Sequence, residues 1–155
     1  MNRLLLFATL LLTTQLATSC QDEADIRPAS YDELAMATGH WEWDTTGSFA
    51  GLRTPATEGY SRQLTFRPEG QLMLRRSGQP DYQTSYQLTM GTPAPCGSVS
   101  PVPLLVFTTE EATLPNDARK LYTLSQQGGQ QTLLLTGESV CLDGGSEEKY
   151  HWVAE

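Results

Sequence analysis

Positive charge is scarce in this chain. Ten Lys and Arg stand against eighteen Asp and Glu among 155 residues, for a net charge of −8. Phosphate contacts need clustered basic residues, so an acidic chain of this kind is a poor nucleic-acid binder. No basic amphipathic helix offers contact with a lipid surface. Cysteine is scarce too, with three in all and no Cys-x-x-Cys pair, which argues against a zinc site. There is no Gly-x-Ser-x-Gly elbow, no reactive cysteine context and no strand-to-helix phosphate loop. The run Asp143-Gly144-Gly145-Ser146-Glu147-Glu148 lacks the ligand spacing of a calcium loop and reads as a solvated turn. Glu110-Glu111 reads as solvated loop charge. Nothing repeats with a solenoid period. These absences leave no visible constellation for an enzyme and imply no cofactor.

What is present begins with an export signal. Asn2 and Arg3 form a short basic start, Leu4–Leu12 is apolar, and Thr13–Ser19 is rich in small residues. The apolar run is too short for a permanent membrane-spanning helix, so residues 1–19 read as a signal peptide. Leu16-Ala17-Thr18-Ser19-Cys20 resembles a bacterial lipobox. That resemblance implies lipid on Cys20, and Gln21 in the next position implies the outer membrane. The acidic pair Asp22-Glu23 resembles surface-export signals, so a periplasmic and a surface location both stay open.

Beyond Ser19, 136 residues remain, with nine basic against eighteen acidic. That length suits one domain able to bury about two-thirds of its unfolded surface. With Cys20 assigned to lipid, Cys96 and Cys141 remain, and outside the cytoplasm they are expected to pair. Residues 20–29 read as a polar tether. Ser30-Tyr31-Asp32-Glu33 has the form of a capping box, which predicts a short helix ending at Gly39.

From Gly39 onward the period changes to two. Gly39-His40-Trp41-Glu42-Trp43-Asp44 alternates, with both Trp on one face and His40, Glu42 and Asp44 on the other. Further strands are expected near 60–67, 71–76, 82–90, 104–108, 120–126, 131–136 and 148–153. Pro68-Glu69-Gly70 and Gly128-Gly129 supply tight hairpins. Residues 47–59 and 91–103 read as long loops. About eight strands with one apolar face predict an all-β, antiparallel up-and-down barrel over residues 30–155, with a two-sheet sandwich as the rival. In a strict meander the loops holding Cys96 and Cys141 fall at opposite ends. The disulfide then requires the Pro-rich loop to run along the barrel, or a strand count off by one.

Gly39-His40-Trp41 resembles the Gly-x-Trp that opens lipocalin barrels, and the short helix before it and the strands after it extend the resemblance over about 30–153. The hairpin at Gln127-Gly128-Gly129 departs from the lipocalin Thr-Asp-Tyr type signature, and no Arg stands in the last strand to stack on Trp41. The pattern is therefore that of a small bacterial lipocalin-like lipoprotein. The resemblance implies a barrel and a small apolar ligand.

Strand directions sharpen that expectation. Tyr60, Arg62, Arg76 and Tyr82 fall on inward faces and at one end, forming a rim suited to a structural ion pair with a carboxylate from the chain's own loops or to an anionic, apolar-tailed ligand such as a fatty acid. Trp41 and Trp152 fall at the other end, beneath the helix. His40 and His151 lie on strands that neighbour each other in a closed barrel, but two histidines make a poor metal site. A barrel with a filled interior would instead serve as a protein-interaction module, such as an inhibitor or an envelope-assembly component, with the long loops carrying the contacts.

Overall fold

The computed structural model describes residues 34–35, 38–93, 100–109, 118–142 and 144–155. Nine strands form one antiparallel sheet: β1 (Gly39–Ser48), β2 (Gly51–Arg53), β3 (Arg62–Arg67), β4 (Gln71–Arg76), β5 (Tyr82–Gly91), β6 (Val102–Phe107), β7 (Arg119–Gln127), β8 (Gln130–Gly137) and β9 (Ser146–Ala154). Eight of them follow one another around a barrel, and β9 returns to pair with β1 from Gly39↔Ala154 to Ser48↔Ser146. Closure removes the sheet edges that an open sandwich would leave. The barrel architecture thus holds and the sandwich does not.

Two local expectations change. The stretch 47–59, read as loop, contains β2, which adds a short ladder to the end of β1, and a one-turn helix α1 (Pro55–Glu58). Thr54 caps α1: its hydroxyl accepts from the Thr57 N–H at 3.2 Å, while Thr57 Oγ1 accepts from the Thr54 N–H at 2.8 Å. A Thr here performs the return bond usually made by Glu or Gln, which is why the pattern escapes a search for Ser/Thr-x-x-Glu. The helix expected after Ser30 lies mostly outside the described residues. Leu34 and Ala35 are helical and buried in the same core as Trp41.

The chain enters the barrel at Gly39, which defines the lower end. Gly39 has φ 146°, and a Cβ there would stand 2.2 Å from the Val153 carbonyl oxygen and 2.7 Å from the Trp152 ring. Only glycine allows β1 to start this close to β9. Just inside, Trp41 meets Trp152 edge-on, with ring centroids 5.1 Å apart. These two rings and Leu34 close the lower end, as the strand directions predict.

Alternation sets the interior. Leu64 and Phe66 on β3, Leu72 on β4, Tyr86 and Leu88 on β5, Leu105 and Phe107 on β6, Tyr122 on β7, Leu133 and Leu135 on β8, and Tyr150 on β9 are all buried in one cluster. β1 departs from strict alternation. Its register against β9 shifts between Trp43 and Thr45, so Asp44 is the extra residue of a bulge. The bulge lets Trp41, Trp43 and Thr46 all be buried.

The outer wall at β6 is covered as well. Leu104 sits on the opposite face from Leu105 yet is 0 % exposed. A Cβ on Gly91 would lie 2.5 Å from the Leu104 side chain, so the end of β5 presses on it. Pro93, two residues into the following loop, is fully buried. Eight barrel strands leave the count intact and keep the two cysteine loops at opposite ends. Cys141, in the 3-10 turn Val140–Leu142 between β8 and β9, is disulfide-bonded. Its expected partner, Cys96, lies outside the described residues, as does Cys20.

Candidate functional site

The upper half of the barrel interior is charged. Glu148, inward on β9 in register with Thr46 of β1 and Leu135 of β8, is 5 % exposed. Lys120, inward on β7, places Nζ directly against Glu148 Oε1. Tyr150 O–H donates to Glu148 Oε2 at 2.6 Å. Arg62, inward on β3, brings Nη2 to 3.5 Å from Glu148 Oε2 and donates to Thr46 Oγ1 at 3.2 Å. Trp43 Nε1–H donates to the same Thr46 oxygen at 2.9 Å. A carboxylate taken out of water is tolerable only when it is paired and hydrogen-bonded in this way.

Its acidity follows from these contacts. Burial alone would raise the Glu148 carboxyl. The Lys120 and Arg62 charges, with hydrogen bonds from Lys120 and Tyr150, outweigh it and hold the group at about 2 rather than 4.5.

An aromatic and guanidinium stack continues from this cluster to the rim. The Arg62 guanidinium carbon lies 4.9 Å from the Trp43 ring centroid and 5.7 Å from that of Tyr150. Trp43 stacks on Tyr60, with centroids 5.7 Å apart and planes 18° from parallel. Arg76 covers Tyr60 at 3.6 Å. Arg62 and Arg76 are direct cross-strand partners, an arrangement that like charges disfavour. They separate by direction: Arg62 reaches toward Glu148, and Arg76 lies on Tyr60. Cation–π contacts of this kind contribute about 0.5–2 kcal/mol each.

Three of the four rim residues expected from the sequence, Tyr60, Arg62 and Arg76, are thus joined in one stack. Tyr82 stands at the same end on β5, paired in register with Leu74 of β4. The carboxylate that meets Arg62 comes from β9, not from an adjoining loop. Glu148, read from the sequence as the end of a solvated turn, is instead a buried strand residue, and Lys120 joins it inside the barrel; the signal for both was present in the alternation. Glu148 alternates in phase with Tyr150 and Trp152, and Lys120 with Tyr122 and Leu124, so both polar residues sit on apolar faces.

The wall around the site is uneven. Thr46, Phe107, Lys120, Leu135 and Glu148 are buried, whereas Tyr60, Leu74, Arg76, Tyr82 and Thr84 are half-buried. The accessible side is therefore that of β3, β4 and β5.

The histidines belong to the outer surface. Glu42 is in register with His151, and His151 Nδ1 lies 2.6 Å from Asp44 Oδ1 at the bulge. His40 faces Glu42 and Glu155 at 3.9 and 3.6 Å. Among the described residues no three side chains are grouped to hold a metal ion.

Fold and site together define a closed eight-stranded antiparallel barrel, apolar in its lower half and charged in its upper half. No known protein family, no curated protein and no solved structure matches this chain.

Proposed function

We propose that this protein is a lipocalin-like lipoprotein of the bacterial cell envelope whose barrel binds a small anionic, amphipathic molecule at its upper end. The observation that carries this reading is the half-buried wall of Tyr60, Leu74, Arg76 and Tyr82 beside Arg62. Apolar surface, aromatic rings and guanidinium groups meet there, the combination that recognises an acid on an apolar body. The test is titration of a fluorescent amphipathic acid into wild type and Arg76→Ala. Saturable binding, weakened about tenfold or more by the substitution, supports the site. Absence of saturable binding by any amphipathic acid removes it.

The anchor is part of the same proposal. Cys20 carries lipid, residues 20–29 tether the barrel to the outer membrane, and Cys96 bonds Cys141. The bonded state of Cys141 supports the disulfide. Fatty-acid labelling of wild type but not Cys20→Ala checks the anchor. Alkylation of the unfolded, unreduced chain checks the bond, since two free thiols would exclude it.

A second reading has its own support. Phe49 is 83 %, Leu52 65 % and Leu142 64 % exposed, all on the β1–β2 hairpin or the β8–β9 connection at the upper end. Apolar side chains so placed suit a protein-interaction module. Recovery of a protein rather than a small molecule with the native chain favours this alternative.

A further inference from the structure

The depth of the barrel interior limits what the upper end can take. Going down β4, the inward residues are Arg76, Leu74 and Leu72; going down β5, they are Tyr82, Thr84 and Tyr86. The first two on each strand are half-buried. The third on each strand is buried: Leu72 is 0 % exposed and Tyr86 3 %. The accessible part of the interior thus ends at Leu72 and Tyr86.

That floor extends across the barrel. Leu105, Leu133 and Leu135 are 0 % exposed, Leu64 and Tyr150 1 %, and Trp43 2 %. A channel wide enough for an acyl chain would leave its lining in contact with water-sized space. The three leucines touch none, and Leu64, Tyr150 and Trp43 almost none. Phe66 and Tyr86 meet edge-on at 5.1 Å directly below, and Trp41 with Trp152 seals the lower end. On the opposite wall Lys120, Glu148 and Phe107 are already buried against one another, so no room opens on that side.

Rim and floor are two inward-facing steps apart, which on tilted strands gives an axial depth of about 10 Å. Large side chains occupy part of that depth.

Resting on the ligand-binding reading above, we infer that the site takes a compact acid, a carboxylate or similar anion on a body about the size of one aromatic ring, and excludes long-chain fatty acids from the interior. The ring or short chain rests on Leu74 and Tyr82, above Leu72. The acid group lies at the level of Arg76. The Glu148 cluster is the fixed side of the site rather than its receptor. Its one carboxylate is spent on Lys120 and Arg62, and an anion pushed to that depth would meet Glu148 at close range.

The experiment is a calorimetric titration of the full mature chain with straight-chain acids from butyrate to palmitate, each below its micelle concentration, alongside benzoate and naphthoate. Each further buried methylene is worth about fourfold in affinity. The expected result is a rise to about hexanoate or octanoate and then a plateau, with less than about twofold further gain to palmitate. Benzoate or naphthoate should bind at least as tightly as hexanoate, and Arg76→Gln should weaken both classes about tenfold while lowering Tm by no more than the few degrees that loss of its contact with Tyr60 implies. A continuing climb through palmitate would overturn the compact-ligand inference while leaving a ligand-binding barrel in place. Failure of every acid, short and long, would overturn both.

Discussion

The two halves of the barrel interior solve the same packing problem with different chemistry. The lower half is closed by Trp41, Trp152, Phe66, Leu88 and Leu34, and its stability comes from apolar area removed from water. The upper half contains Glu148, Lys120, Arg62 and Tyr150, and its stability depends on keeping every charge answered. Apolar packing is non-directional and degrades gradually. A buried ion cluster is directional and fails when one member is lost. The lower half therefore suits a support, and the upper half a place where identity of side chain matters.

Substitutions at matched depth can break this contrast. Trp41→Ala should cost about 3–5 kcal/mol in urea unfolding, since a fully buried indole leaves a cavity. A loss below about 1 kcal/mol would remove Trp41 from the core. Glu148→Leu should cost about as much, 3–5 kcal/mol, because Lys120 and Arg62 are left buried without their carboxylate. The two losses differ in how they can be repaired. Replacing Glu148, Lys120 and Arg62 together by Leu, Met and Met should restore most of the stability, because the desolvation cost disappears with the charges. If the triple variant is as unstable as Glu148→Leu, the upper half is held by shape and the contrast is false.

Acid should distinguish the halves next. The Glu148 carboxyl is held at about 2, below its ordinary 4.5. A depressed folded-state value means that the contribution is complete above pH 4.5 and is lost as pH falls from 4.5 toward 2. The amount is roughly 3 kcal/mol. The difference in unfolding free energy between wild type and Glu148→Gln, followed from pH 6 to pH 2.5, should shrink across that window. A constant difference would place the charge of Glu148 outside the stability of the fold. The smallest effect belongs outside the barrel. Asp44 and His151 touch at 2.6 Å, but each side chain is about a third exposed. His151→Ala should cost below about 1 kcal/mol, as exposed ion pairs do. A larger loss would make the β1 bulge a structural clamp.

Much of this architecture was legible because strands write their orientation in alternation. Tyr82, Thr84, Tyr86, Leu88 and Met90 share a face in the sequence pattern, and Tyr86 and Leu88 are buried as that pattern requires. The strand 71–76 has the bounds its hairpin residues imply. What escaped were features in which a local rule is suspended. The Asp44 bulge shifts the phase of β1 by one, so nothing in the alternation before it announces that Thr46 turns inward. β2 and α1 lie in a stretch whose Gly, Thr and Pro content reads as loop. Leu104 and Leu105 are adjacent and both buried, which alternation cannot resolve.

The candidate site divides along the same line. Tyr60, Arg62, Arg76 and Tyr82 can be placed at one end from strand direction alone, because direction reverses at each hairpin and inward residues recur every second position. The sequence by itself thus determined the eight strands of the barrel (though not β2), their order and the end at which Tyr60, Arg62 and Arg76 lie. Only the tertiary structure decided that Glu148, 86 positions after Arg62, comes to neutralise it, that Lys120 shares that carboxylate, and that the floor lies at Leu72 and Tyr86. The physical reason is closure. Contacts between neighbours on a hairpin follow from local register, whereas contacts across a barrel depend on which strand returns to meet β1 and how far the interior is filled.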